Sequence, residues 1–280
     1  MQLHWLRFKE QRPCHRKSFL NEVGNSLGIT MLNKFKQRSY ELERIDKGDY
    51  TPEEYEGCIV ELQRVNRWLG DAHVLRETLL RDVASHGLES FSVLDVGAGS
   101  GELLRVASQW ARKEKRELFA VGLELNQRSA EAILEESNNS INAIRADALK
   151  LPFADGQFDY VICSLFTHHF VEQQVIEIFR EMTRVARRRV FVIDLHRHFI
   201  AYLFYTTIGK LFLRTSLLRE DGALSILRSF KPNELIELGR RAQMDGVFVR
   251  RHFPFRLVLT ADGQGSSRYA GLHQNASRAA

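Results

Sequence analysis

The chain has 280 residues, 44% hydrophobic and 27% charged, the make-up of an ordinary globular protein with room for one large domain and an accessory piece. Forty Lys and Arg against 35 Asp and Glu give a net charge of +5; the two signs are interspersed, so a dedicated nucleic-acid surface is not expected. Three separated cysteines, Cys14, Cys58 and Cys163, form no C-x-x-C pair, which argues against a disulfide framework or a zinc site and fits a reducing cytoplasm.

Residues 1–18 are basic, with five Lys or Arg against Glu10, and are expected to be poorly ordered. They lack the contiguous apolar core of a secretory signal. Residues 19–87 read as a helical region. Its first part, 19–45, carries a weak helical pattern. A clearer helix starts at Thr51-Pro52-Glu53-Glu54, where Thr51 can cap, Pro52 suits the first helical position and Glu54 completes a capping box. Tyr55, Ile59, Leu62, Val65 and Leu69 share one face, and Gly70 is expected to end the helix. His73 to Ser85 reads as another helix. No apolar run approaches the ~20 residues that span a bilayer.

The organising stretch is Ser92-Val93-Leu94-Asp95-Val96-Gly97-Ala98-Gly99-Ser100-Gly101-Glu102. It reads as a buried strand, a glycine turn and a helix start. Glycines at alternating positions let the backbone approach a ligand that a side chain would keep away. A dinucleotide fold would need G-x-G-x-x-G, but Glu102 stands where the last glycine should be. Residues 117–124 read as a second strand ending in Glu124, 23 positions after Gly101, near the spacing at which α/β nucleotide sites place a ribose acceptor. Residues 142–148 read as a third strand with Asp147 at its end, 158–164 as a fourth, and 189–194 as a fifth, with helices after the first, second and fourth strands. Residues 196–230 interrupt the repeat, Pro232 to about Arg241 forms a helix, and two apolar stretches around Pro254 look like a terminal hairpin. The last residues, 261–280, read as a disordered tail.

The ordered series of Asp95, three glycines, Glu124, Asp147-Ala148 and Phe158-Asp159-Tyr160-Val161-Ile162 resembles the class I S-adenosylmethionine-dependent methyltransferases across residues 88–195. The Leu151-Pro152-Phe153 and Gln157-Phe158-Asp159 segments are similar to the subgroup of ubiquinone- and menaquinone-biosynthesis methyltransferases. The resemblance implies an α/β fold: a Rossmann-like seven-stranded sheet, mostly parallel with an antiparallel last strand, under an N-terminal helical lid. The methyltransferase domain would span 88–260.

It further implies that S-adenosylmethionine is the cofactor. Gly97, Ala98, Gly99 and Gly101 would contact its methionine portion, with Asp95 positioning that loop and helping to hold the ammonium. Glu124 would accept the ribose hydroxyls, Leu125 would flank the adenine, and Asp147 with Ala148 would meet the adenine amino group. Ser164 would close the site after the fourth strand. There the family places residues facing the reactive methyl, which makes His168 and His169 the candidates for taking a proton. His196 and His198 are expected near the same mouth. No metal is expected, because Cys163-Ser164 stands where catechol-type relatives need a carboxylate. The absence of an Asn-Pro-Pro-Tyr segment counts against methylation of nucleic-acid amino groups.

The aromatic and apolar insertion 196–230 suggests a substrate lid and hence a small lipophilic or aromatic acceptor. Arg219, Asp221 and Arg228 could supply its polar contacts. Peripheral membrane contact is compatible with this composition, and oligomeric state is not readable. The alternative is an RNA-associated methyltransferase, or a non-catalytic partner on the same fold.

Overall fold

A computed structural model describes residues 34–265. The expectations for residues 1–18, for Cys14, for most of the 19–45 helix and for most of the tail lie outside the described residues. Residues 34–37 form a turn; everything below concerns 38–265.

Seven strands form one sheet in the order β3-β2-β1-β4-β5-β7-β6. They are β1 (Ser90–Val96), β2 (Glu117–Glu124), β3 (Asn142–Arg145), β4 (Phe158–Ser164), β5 (Ala186–Leu195), β6 (Phe248–His252) and β7 (Arg256–Asp262). Strands β1 to β5 pair in parallel. Strand β7 runs antiparallel to both neighbours, entering between β5 and β6 as the return arm of a hairpin. The expected seven-stranded, mostly parallel sheet with an antiparallel last strand is therefore present. β7 extends through Asp262, because its pairing with β5 continues to Arg189, so the first residues assigned to a tail are strand.

The side-chain alternation of the buried strands sorts two cores, one on each face of the sheet. Val93, Tyr160, Ile162, Phe191 and Ile193 meet Leu79, Leu104 and Ile133. Leu94, Val96, Val161, Cys163, Val190 and Val192 meet Val175, Phe179, Met182 and Leu235. The first set belongs to helices Glu102–Lys113 and Gln127–Glu136 and to a continuous helical run from Asp71 to Ser85. That run contains a π-helical turn at Arg76–Leu80. The second set belongs to helices Glu172–Val185 and Pro232–Arg241. Between parallel strands such helices are the required crossovers.

Helix Pro52–Trp68 starts as its sequence dictates. The Thr51 hydroxyl accepts from the Glu54 amide at 3.2 Å, and the Thr51 amide donates back to the Glu54 carboxylate at 3.1 Å. The insertion folds as helix Phe199–Phe204, a π turn Tyr205–Gly209, a short turn Lys210–Phe212 and helix Ser216–Arg228. It packs on helix Pro52–Trp68 through Cys58, Leu62, Leu213, Leu217 and Leu218. Gly222 allows this: a Cβ there would stand 2.2 Å from the Tyr205 hydroxyl, which donates to the Leu218 carbonyl. The Glu61 carboxylate accepts from the Arg214 amide at 2.7 Å, the Thr215 amide at 2.8 Å and the Thr215 hydroxyl at 2.7 Å.

Candidate active site

A cavity of about 240 Å³ lies at the carboxyl ends of β1, β2 and β4, where open α/β sheets bind ligands. Its floor is Asp95, Gly97, Ala98, Gly99 and Ser100, its sides include Glu124, Ser164, Phe166 and His169, and its cover is Tyr55, Ile59, Leu62 and Gln63 from helix Pro52–Trp68.

The floor is built by the glycine turn. Gly97, Gly99 and Gly101 have φ of 72°, 57° and 79°, the left-handed region that glycine enters without a Cβ penalty. Glu124, at the end of β2, reaches across and accepts from the Gly99 amide at 2.6 Å and from the Leu125 amide at 3.2 Å. Gly101 begins helix Glu102–Lys113 and rests on Ile133, which a Cβ would meet at 3.3 Å. It supports the loop from beneath and does not line the cavity.

Asp95 is 2% exposed, and its Oδ1 has no hydrogen-bond partner among the described atoms. Burial, then the nearby Glu124 charge, pushes this carboxyl up to about 8. Burial also raises Glu124, opposed by the amide hydrogen bonds it accepts. A buried carboxylate oxygen without a donor fits a ligand that brings a cation.

At the other end, the turn 167–169 carries the two candidate histidines. Their positions differ. His168 is buried and lies outside the cavity lining; its Nδ1 is 2.7 Å from Asp194 Oδ1. Asp194 also accepts from the Thr167 hydroxyl at 2.6 Å and from the amides of His168 and Leu195 at 3.1 and 2.7 Å. Burial works to raise Asp194, but the His168 ring and these donors hold it down at about 2. His169 lines the cavity, and its Nδ1 lies 2.9 Å from Asp46 Oδ1. The buried Glu43 stands 3.9 Å from the same nitrogen, and burial pushes its carboxyl up to about 7 against the pull of His169 and Arg228.

Glu43, His168 and His169 bring ligand-type atoms within 4.8 Å of one another. The two rings lie 4.3 Å apart and only 34° from parallel, so they do not aim two nitrogen lone pairs at one point, as chelation requires. The cluster is better described as an ion-pair network. Arg228 donates to the His168 and His169 carbonyls at 3.2 and 2.6 Å and to Asp46, and Arg38 donates to the Phe170 carbonyl at 3.2 Å.

The fold thus brings together Asp95, Gly97, Ala98, Gly99, Glu124, Ser164 and His169. Leu125, Asp147, Ala148, His168, His196 and His198 do not line the cavity. Strand β3 stops at Arg145; beyond it, exposed Asp147 accepts from the Leu149 amide at 2.9 Å, while Leu125 is 64% exposed. Two of the three polar insertion residues serve the network around His169: Arg228 as above, and Asp221 by accepting from the Arg44 and Ile45 amides at 2.9 and 3.1 Å. Asp46 and Glu43 were not legible as site residues, since they come from a one-turn helix, Arg44–Lys47, with no periodic signal. Phe166 was also missed.

Residues 94–193 match the family described as a methyltransferase domain, the segment that holds the glycine turn, Glu124 and both histidines. No curated protein matches significantly. Among solved structures, an S-adenosylmethionine-dependent methyltransferase from Aquifex aeolicus superposes with a TM-score of 0.47 at 17% identity, over 71% of this chain and 97% of its own. A protein from Pyrococcus horikoshii gives 0.49 at 16%, over 73% and 99%. A magnesium protoporphyrin IX methyltransferase from Synechocystis gives 0.45 at 16%, over 89% and 100%. Residues 94–193 are thus similar to a methyltransferase domain, carried on a mostly parallel seven-stranded sheet. Its cofactor is S-adenosylmethionine.

Proposed function

We propose that the chain transfers a methyl group to an oxygen or carbon of a small lipophilic or aromatic molecule in the cytoplasm, the quinone-like phenols of ubiquinone-type relatives being the nearest chemistry. The observation that carries this reading is the cavity itself: a glycine floor with a buried acid at one end and His169 at the other, between walls that include Ile59, Leu62, Leu103 and Phe166.

The cofactor supplies an electrophilic methyl already activated by its positive sulfur, so the protein's work is to bind, orient and exclude water. Asp95 would balance the ammonium, and Glu124, which already holds the Gly99 amide, would turn its remaining lone pairs to the ribose hydroxyls. The adenine end would reach beyond the cavity toward exposed Leu125 and Asp147. Once bound, the cofactor would supply the methyl for an in-line displacement that leaves the electron pair of the broken bond on sulfur, and a group of this chain would take the acceptor's proton. His169 is positioned to take it. Asp46 at Nδ1 favours the tautomer that leaves the Nε2 lone pair available. His168, held by Asp194, positions the turn.

Helix Pro52–Trp68 covers the cavity, and in this reading it is a lid that opens to admit cofactor. Calorimetry with S-adenosylhomocysteine, followed by mass spectrometry of a metabolite extract incubated with methyl-labelled cofactor, tests the reading. Micromolar binding, near ~−8 kcal/mol, and a labelled lipophilic product are expected. No binding at millimolar ligand would overturn it, and salt-sensitive RNA binding in its place would favour an RNA-associated role.

A further inference from the structure

Between Phe199 and Phe212 the insertion presents an apolar stripe to solvent. Ile200, Leu203, Phe204, Ile208, Leu211 and Phe212 are exposed, Leu211 by 81% and Phe212 by 77%. Their positions follow the i, i+3, i+4, i+7 rule of one helical face, continued across the π turn. The polar residue on that face, Thr207, spends its hydroxyl inside the helix, donating to the Leu203 carbonyl at 2.6 Å. The opposite face, through Tyr205 and then Leu213, packs on helix Pro52–Trp68. Scattered surface hydrophobics need no explanation, but six on one face do.

Charge identifies the occupant. From Leu195 to Arg219 the sequence contains no Asp or Glu, and its bases are Arg197, Lys210, Arg214 and Arg219. Arg197 is committed to Glu234 at 3.0 Å. Arg214 and Arg219 are exposed, beyond the end of the stripe. A second copy of the chain would bring these bases against their own kind, and the nearest acid in sequence, Glu220, is already paired with Arg44 at 3.4 Å. An anionic lipid surface answers both features, taking the side chains into its interface and the bases at its headgroups. Among the described residues no helix is long and apolar enough to cross a membrane, so the contact is peripheral.

We infer that the face Ile200–Phe212 docks the protein on an anionic membrane leaflet. This is independent of the methyl-transfer reading. Co-sedimentation of the full chain with phosphatidylcholine vesicles, with and without phosphatidylglycerol, tests it. The protein should pellet with the anionic vesicles, and raised salt should release it. Replacing Leu211→Glu and Phe212→Glu together should lower partitioning at least about tenfold, as should Arg214→Glu with Arg219→Glu. Unchanged circular dichroism and S-adenosylhomocysteine affinity would show that these exposed substitutions leave the fold intact. Failure to bind either vesicle, binding indifferent to the Leu211/Phe212 exchange, or a dimer in solution that the same exchange breaks would each overturn the inference.

Discussion

The ring of Phe166 lies flat against the backbone of Gly97: a Cβ on Gly97 would stand 2.3 Å from Phe166 Cδ2. The contact joins the end of β4 to the glycine floor and leaves the floor no room for a side chain. Gly97→Ala therefore meets two penalties, the clash and a left-handed φ of 72°. Together they should cost about 2–4 kcal/mol, read as a lowered midpoint in urea and weakened S-adenosylhomocysteine binding. Phe166→Ala in the same chain should restore part of the stability.

Asp95 yields a proton-linkage prediction. Its carboxyl is raised to about 8 by burial and by Glu124, whereas in the unfolded chain it ionises near ~3.9. The folded state thus holds a proton that the unfolded state gives up, and stability from this group falls as pH rises between those two values. Asp95→Asn should flatten that slope and stabilise the cofactor-free protein at neutral pH. It should also weaken S-adenosylhomocysteine binding. In the wild type a cationic ligand pulls the carboxyl back down, so calorimetry at pH 7 in buffers of different ionisation heat should show net proton release on binding.

Asp194 predicts the opposite sign. It is held at about 2 with His168 as its partner, below its unfolded value. Its stabilisation is complete above pH ~4 and disappears as pH falls through its folded value, and amounts to about 2 kcal/mol. Asp194→Asn should lower neutral-pH stability by about that much or more and reduce the acid sensitivity of unfolding, measured by urea midpoints across the acid range.

For methyl transfer, His169→Ala should lower kcat by about 10²–10⁴-fold and leave S-adenosylhomocysteine affinity within a few-fold. Asp46→Asn should lower kcat less and shift its pH profile, because the ring loses the carboxylate that fixes its tautomer. An unchanged rate in His169→Ala with a turned-over phenol would remove this residue from the proton path.

Hydrogen exchange should show helix Pro52–Trp68 gaining protection when S-adenosylhomocysteine binds. The insertion, which lines none of the cavity, should follow it through the Glu61 hydrogen bonds. Glu61→Gln, which weakens the bonds to Arg214 and Thr215, should leave the helix response in place and reduce that of the insertion.

What the sequence displayed and what it hid follow from the range of the interactions. Strand alternation at 93–96 and 160–163, the capping box at Thr51 and the glycine turn are local patterns, so the sheet and the glycine floor of the cavity were legible. Asp95 and Glu124 were legible as strand-end acids. Which histidine faces the cavity was not, because it depends on Asp194 and Asp46, 26 and 123 positions away. Phe166 was hidden for the same reason: nothing nearby in sequence says that it will cover Gly97. Asp147 read as a continuation of the series of strand-end acids, yet β3 stops two residues before it and its carboxylate serves the following turn.

The three hydrogen bonds at Glu61 tie helix Pro52–Trp68 and the insertion into one lever. One arm covers the candidate cavity, and the other carries the greasy stripe proposed to rest on lipid. By reciprocity, whatever settles one arm shifts the affinity of the other. The catalyst would then respond to where it sits as well as to what it holds: vesicles should tighten cofactor binding by the same factor that cofactor tightens adhesion to vesicles.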